Sequence, residues 1–319
     1  MAVYTQVSTE ELNAFLHRYD VGTLLSAKGI AEGVENSNYL IETTAGRFIL
    51  TLYEKRVNVD DLPFFAALTD HLAAKGLNIP RMLRDRRGEQ LQSLAGRPAC
   101  LIEFLSGVSV THPNPAQARA AGGALGDMHR ALADFRLGRA NSLDLPGWRA
   151  LAERCGDLDA IREGLAARVF TELDWLDANW PRHLPTAVIH ADLFPDNVLM
   201  LGDEVSGVID FYFACSDIRA WDVAVTHAAW CFENDGTGYH ADLGRALIAG
   251  YDARHGLSTA ERLAFPILAR GACLRFLLTR AYDWINTPPD AMVTRKDPVA
   301  FLRRLDFYAE ADPETLVPA

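Results

Sequence analysis

The sequence predicts an α+β fold in two lobes, a β-rich N-terminal lobe followed by a mainly helical C-terminal lobe. Two observations predict it. Up to Phe104, short β-rich runs alternate with turn residues, and only a few helical stretches interrupt them. From Pro115 onward Ala, Leu and Arg dominate, and apolar residues recur every three or four positions, the period of a helix. The chain has 319 residues, enough for one large domain or two lobes. Its 49% hydrophobic and 23% charged residues are an ordinary globular balance that excludes wholesale disorder.

The elements follow in order. Ser8 and Glu11 have the spacing of a capping box, so a short helix starts at Ser8. Two β-rich runs, Asn38 to Thr43 and Arg47 to Tyr53, flank Thr44-Ala45-Gly46 and predict a hairpin. Leu62, Phe65, Leu68 and Leu72 mark an amphipathic helix that stops near Gly76. Short strands then run from Met82 to Phe104. The N-lobe is placed at 1–103, a hinge at 104–107 and the C-lobe at 108–319. In the C-lobe, helices are expected over Ala116–Phe135, Leu158–Asn179, Trp221–Phe232, Ala241–Arg254 and Thr259–Ile285. Ser258 and Glu261 give the last of these a second capping box. Between them Ala187–Phe211 forms a β island of two short strands around Gly202-Asp203.

Lys plus Arg number 31 against 42 Asp plus Glu, a formal charge of −11. Such a surface repels phosphate backbones and argues against nucleic acid as a partner, though not against a nucleotide in a local pocket. The longest apolar stretch, Phe265 to Ile285, is interrupted by Arg270, Arg275, Arg280 and Asp283, so no membrane span is expected. No signal peptide is expected at the N-terminus. The five cysteines are scattered and never form a C-x-x-C pair, which reads as reduced core thiols in a cytoplasmic protein.

The chemistry concentrates in the β island, VIHADLFPDNVLMLGDEVSGVIDFYF. It holds His190-x-Asp192, then Asn197, then Asp210-Phe211. This H-x-D-x-x-x-x-N pattern with a following aspartate resembles the catalytic and metal-binding loops of the protein-kinase-like fold, in the H-x-D form of aminoglycoside phosphotransferases and choline kinases. Phosphoryl transfer needs positioning and charge neutralisation more than covalent help. Asp192 is the candidate base facing the acceptor hydroxyl. Asn197 and Asp210 offer the hard oxygens that Mg2+ prefers, and a short hairpin is expected to bring them to one edge. His190 is expected to hold the loop by hydrogen bonds rather than to carry protons.

The stretches FILTLYEKR, HADLFPDNVL, GVIDFYFACSD, WDVAVTHAAWCFE and LRFLLTRAYDW extend the resemblance. Over about Glu10 to Pro298 the chain resembles the homoserine kinases of the aminoglycoside-phosphotransferase-like type. The resemblance implies a protein-kinase-like two-lobed fold, ATP and Mg2+ as cofactors, and transfer of the γ-phosphate to the side-chain hydroxyl of L-homoserine. It also implies roles for further residues. Related kinases carry a lysine on the third strand. Thr51 stands there in this chain, and Lys55 or Arg56 could substitute, the alternative being that Lys55 is an ordinary strand-end lysine. Gly33, Asn36 and Ser37 could face phosphate in place of a full glycine-rich loop, or form a plain turn. The hinge backbone at Glu103 and Leu105 is the candidate for the adenine edge. Asp222, at a helix start, either anchors the catalytic loop through its backbone N–H groups or simply complements the helix dipole.

Homoserine is a zwitterion. Arg275 and Arg280 are candidates for its carboxylate, and Asp217 and Glu233 for its ammonium group. The competing readings are a kinase of the same fold for another alcohol (an aminoglycoside, choline or methylthioribose) and a nucleotide-binding pseudokinase. The expected partner is thus a small-molecule substrate, with the chain a monomer or homodimer.

Overall fold

The computed structural model describes residues 5–30, 36–54, 57–287 and 295–318. The chain divides into two units, Met1–Ser106 with Gly207–Tyr212, and Gly107–Ser206 with Phe213–Ala319. Gly207–Tyr212 thus belongs with the first unit although the chain on both sides of it belongs to the second.

In the first unit, Ser8 caps α1 (Thr9–Leu16), and both halves of the capping box with Glu11 are present. Strands β1 (Leu24–Gly29), β2 (Asn36–Thr43) and β3 (Gly46–Tyr53) follow, then α2 (Leu62–Ala74), β4 (Gln92–Leu94) and β5 (Arg97–Glu103). They form an antiparallel sheet in the order β1-β2-β3-β5-β4. The β2–β3 hairpin is tighter than the sequence suggests. Thr43 pairs directly with Gly46, which leaves Thr44-Ala45 as a two-residue turn. Leu12, Phe15 and Leu16 of α1 bury against one face of the sheet, with Ile41, Leu50 and Leu101 among their neighbours. Helix α2 buries Leu62, Phe65, Leu68 and Leu72, the stripe that its spacing predicts.

The second unit begins with α3 (Pro115–Ala131), α4 (Leu145–Cys155) and α5 (Leu165–Asn179). Next come β6 (Thr186–Ile189), β7 (Val198–Leu201), β8 (Glu204–Val208) and β9 (Cys215–Ile218). Strand β7 pairs with β8, and β6 with β9. The helices α6 (Arg219–Trp230), α7 (Ala241–Asp252), α8 (Thr259–Asn286), α9 (Val299–Glu310) and α10 (Pro313–Leu316) complete it. Ser258 caps α8 through the expected box with Glu261. The expected helix from Leu158 is broken instead. A single 3-10 turn covers Leu158–Ala160, and α5 starts only after Gly164, whose φ of 78° is left-handed.

Helices α3 and α7 approach unusually closely because small residues line their crossing. A Cβ on Gly122 would run into the carbonyl oxygen of Leu247, and one on Gly250 into that of Arg119. This contact seats Tyr251 of α7 beside His129 of α3, which matters below. Among the described residues no helix is long and apolar enough to cross a membrane.

Candidate functional site

The loop between β6 and β7 carries His190, Asp192 and Asn197, and the second unit grips it from several sides. Asp222, near the start of α6, is fully buried. Its two carboxylate oxygens accept the backbone N–H groups of His190 and Ala191, each at 2.7 Å. Ala191 needs that hold, since its φ is 63°, a left-handed conformation that costs a non-glycine residue energy. Asp222 also meets the His129 Nε2 at 3.0 Å, and the His129 Nδ1 meets the Tyr251 hydroxyl at 2.9 Å. Burial raises the Asp222 pKa. The hydrogen bond and charge of His129, with the His190 charge and backbone N–H, outweigh it and leave the carboxyl below its usual range.

From the other side comes Arg275 of α8, only 1% exposed. It donates to the Ala191 carbonyl oxygen, and its Nη2 lies 3.7 Å from the Asp192 carboxylate. Its guanidinium stacks 4.4 Å from the Phe276 ring and 4.9 Å from that of Phe213. A third hold is the indole of Trp230, which donates to the Leu193 carbonyl at 2.9 Å.

Within the loop, the His190 Nδ1 accepts the Asp192 N–H at 3.2 Å, so the imidazole faces the loop's own backbone. The Asn197 side-chain amide donates to the Asp192 carbonyl at 2.8 Å and to its carboxylate at 3.3 Å. Turning the nitrogen of Asn197 inward fixes which atom is its oxygen. Asp192 keeps 17% of its side chain exposed, between the buried Ala191 and Leu193. Its pKa is raised, chiefly by burial, with Arg275 and His190 opposing. A carboxylate made more basic while staying accessible suits proton acceptance.

Asp210 belongs to the first unit, between β8 and the 3-10 turn Phe211–Phe213. It too is left-handed, with φ 64°. The neighbouring Tyr212 anchors this segment. Its hydroxyl is 3.0 Å from that of Tyr53, and its ring meets those of Tyr53 and Phe65 edge-on at 5.5 Å. Asn197, in the second unit, carries an amide oxygen and Asp210, in the first, a carboxylate, each a hard oxygen of the kind that magnesium prefers. Among the described residues no group of three or more His, Cys, Asp or Glu side chains is arranged to hold a metal.

The remaining first-unit candidates are placed as follows. Thr51 is buried on β3, and its hydroxyl donates to Asn38 at 2.7 Å. A polar network of Asn38, Thr51 and Tyr212 therefore fills the strand position at which the resemblance implies a lysine. Asn36 and Ser37 are both buried. The Ser37 hydroxyl donates to Glu54 at 2.8 Å, while the Asn36 side-chain oxygen accepts the Glu54 N–H at 3.4 Å. Their side chains are thus engaged inside the unit. Gly33 and Lys55, with Arg56, lie outside the described residues. Glu103 ends β5 with its carboxylate on Arg81 at 2.6 Å, and its N–H on the Arg81 carbonyl. Leu105 packs where Gly207 lacks a side chain.

Of the substrate candidates, Arg275 is buried and bonded to the loop between β6 and β7. Asp217 on β9 accepts from Asn141 and from the Ile218 N–H, both at 2.6 Å. Glu233 pairs at the surface with His240 at 3.0 Å. Among the described residues neither carboxylate bonds to the catalytic loop. Arg280 is half-buried on α8, and its hydrogen bond goes to the Asp297 carbonyl at 3.2 Å. Sequence reading missed His129 and Tyr251 altogether. An isolated histidine on an apolar helix face carries no signal of its partner.

Residues 26–257 match the phosphotransferase enzyme family. The chain is 58% identical to a homoserine kinase of Zymomonas mobilis subsp. mobilis, covering 99% of both chains. It is 55% identical to a homoserine kinase of Xanthobacter autotrophicus, covering 98% of this chain and 97% of that one. Among solved structures, an amicoumacin kinase in complex with AMP-PNP, Ca2+ and Ami superposes with a TM-score of 0.70 at 15% identity, covering 96% of this chain and 97% of that one.

Proposed function

The chain belongs to the phosphotransferase enzyme family, and from that membership we propose that it transfers the γ-phosphate of ATP to the side-chain hydroxyl of L-homoserine, giving O-phospho-L-homoserine. The observation that carries the reading is the catalytic loop. Asp192 is accessible, raised in basicity and carried on a loop that two helices, α6 and α8, hold in place, in a chain more than half identical to homoserine kinases over nearly its whole length.

In this reading Asp192 orients the acceptor hydroxyl and takes its proton as the bond to phosphorus forms. Asn197 and Asp210 supply oxygens to Mg2+, which when bound neutralises phosphate charge. His190 and Asp222 keep the left-handed peptide at Ala191 in place and so keep Asp192 aimed. The nucleotide is expected against the first unit, with the backbone at Glu103 and Leu105 facing the adenine edge. Thr51 cannot supply a positive charge to the phosphates, so that duty falls to another basic group, with Lys55 and Arg56 the candidates. The expected setting is the cytoplasm.

The test is ADP release from purified protein with ATP and Mg2+ against L-homoserine, kanamycin, choline, methylthioribose and no acceptor. Homoserine-dependent ADP is the expected result. Asp192→Asn should lower kcat by about 10²- to 10⁴-fold while ATP still binds. ADP release with another acceptor and none with homoserine would reject the substrate.

A further inference from the structure

Arg280 is a cation set beside the catalytic loop. On α8 it lies four residues beyond Phe276, so the two share a helix face. The Phe276 ring packs 4.8 Å from that of Phe194, two residues after Asp192 in the catalytic loop. Phe301 of α9 closes the cluster, 5.1 Å from Phe276, and the Arg280 guanidinium stands 4.5 Å over the Phe301 ring. The aromatic cluster that supports the loop therefore carries this guanidinium next to it.

The guanidinium has carboxylates within electrostatic reach but none in direct contact among the described residues. Among the described residues it makes no ion pair, and its hydrogen bond to the Asp297 carbonyl uses one of five N–H donors. Burial, then the neighbouring Arg304, push its pKa down to about 10, while Asp297, Asp196 and Asp192 act in the opposite direction. At neutral pH it stays charged. A half-buried cation that has no carboxylate partner among the described residues is the arrangement that an incoming anion relieves.

A complementary group stands on the loop itself. Asp196, four residues after Asp192, pairs with the Lys296 ammonium at 3.4 Å, both side chains being about 60% exposed. Asp196 is thus placed where it already receives an alkylammonium group.

We propose that Arg280 binds the α-carboxylate of the substrate and Asp196 its α-ammonium group, in exchange for Lys296, so that the site selects an α-amino acid whose side-chain hydroxyl reaches Asp192. The assignment rests on the phosphotransferase reading above and deepens it. Arg275, the other arginine of α8, serves the loop, and Arg280 serves the acceptor.

Three acceptors separate the contributions: L-homoserine, 3-aminopropan-1-ol, which lacks the carboxylate, and 4-hydroxybutyrate, which lacks the ammonium group. Arg280→Gln should raise KM for homoserine about 10- to 100-fold, leave KM for ATP unchanged, and abolish the preference for homoserine over 3-aminopropan-1-ol. Arg280→Lys, which keeps the charge, should recover part of that preference. Asp196→Asn should raise KM for homoserine but not for 4-hydroxybutyrate. An Arg280→Gln enzyme with unchanged ATP KM and unchanged discrimination overturns the assignment of Arg280, and discrimination against 4-hydroxybutyrate that survives Asp196→Asn overturns that of Asp196. Both results leave the phosphotransferase reading standing. A wild-type enzyme inactive on homoserine, yet active on another alcohol, rejects the functional reading together with this one.

Discussion

At the scale of single residues, the loop between β6 and β7 is held against its own backbone preference. Ala191 sits at φ 63° with its N–H on Asp222 and its carbonyl on Arg275. The two holds come from α6 and α8 and act on opposite ends of adjacent peptides. Arg275→Met removes the donor to the carbonyl and the cation 3.7 Å from Asp192, while its length preserves the packing against Phe276 and Phe213. Steady-state kinetics should show kcat falling about 10- to 100-fold, with KM for both substrates changed little, because a misaimed base weakens the transition state more than the ground state. A rise in homoserine KM at constant kcat would instead make Arg275 a substrate ligand. The loop residues themselves were legible in the sequence, since His190, Asp192 and Asn197 lie within eight positions and their spacing is the signal. Arg275 and His129 were not legible in these roles. Arg275 reaches Ala191 across 84 residues of chain, and His129 reaches Asp222 across 93. No local pattern records such a pairing.

At the scale of elements, the α3–α7 crossing positions the His129–Tyr251 end of this network, and glycines set its closeness. Gly250→Ala tests whether that closeness is required. Alanine gains about 1 kcal/mol of helix propensity over glycine. Against this, its Cβ would meet the Arg119 backbone carbonyl, which cannot rotate away. Overpacking of this kind costs about 1–3 kcal/mol, and more against rigid backbone. Net destabilisation of about 1–2 kcal/mol is expected from urea unfolding. Gly123→Ala is the control, because its new Cβ would stay 3.7 Å from the nearest neighbour. It should be neutral or stabilising by up to about 1 kcal/mol. The long elements were legible for the same physical reason that makes them stable. Sustained apolar periodicity produced α2, α3, α7 and α8, and capping boxes fixed the starts of α1 and α8. Helices α4 and α9 escaped because their buried residues are mixed with charge. Arg304 of α9, for example, is 3% exposed yet reads as a surface residue. Strand β9 escaped because its four residues, Cys-Ser-Asp-Ile, acquire strand character only from pairing with β6.

At the scale of the whole molecule, stability should respond to acid through a residue remote from catalysis. His227 of α6 is completely buried, with its Nδ1 at 2.5 Å from the Tyr308 hydroxyl and its Nε2 at 3.4 Å from that of Tyr239. The ring also meets Phe265 edge-on at 5.3 Å, so two hydroxyls and an aromatic ring surround it. Burial lowers its pKa from 6.5 to about 3. The folded protein therefore keeps this imidazole neutral where an unfolded chain would protonate it. Between about pH 6.5 and 3 the unfolded state binds the extra proton, and stability falls as the pH drops. This single group contributes a slope of about 1.4 kcal/mol per pH unit, which vanishes above pH 6.5. Urea midpoints measured from pH 7.5 to 5 should show that acid limb in the wild type. His227→Gln keeps a hydrogen-bonding side chain but cannot titrate. It is expected to be less stable at pH 7.5 and to lose stability more slowly on acidification, so that the two curves converge toward pH 5. Parallel curves across this range would mean that His227 titrates in the folded state as it does in the unfolded chain, which requires water around the ring. The surrounding core of α6, α8 and α9 would then be wetter than its burial indicates.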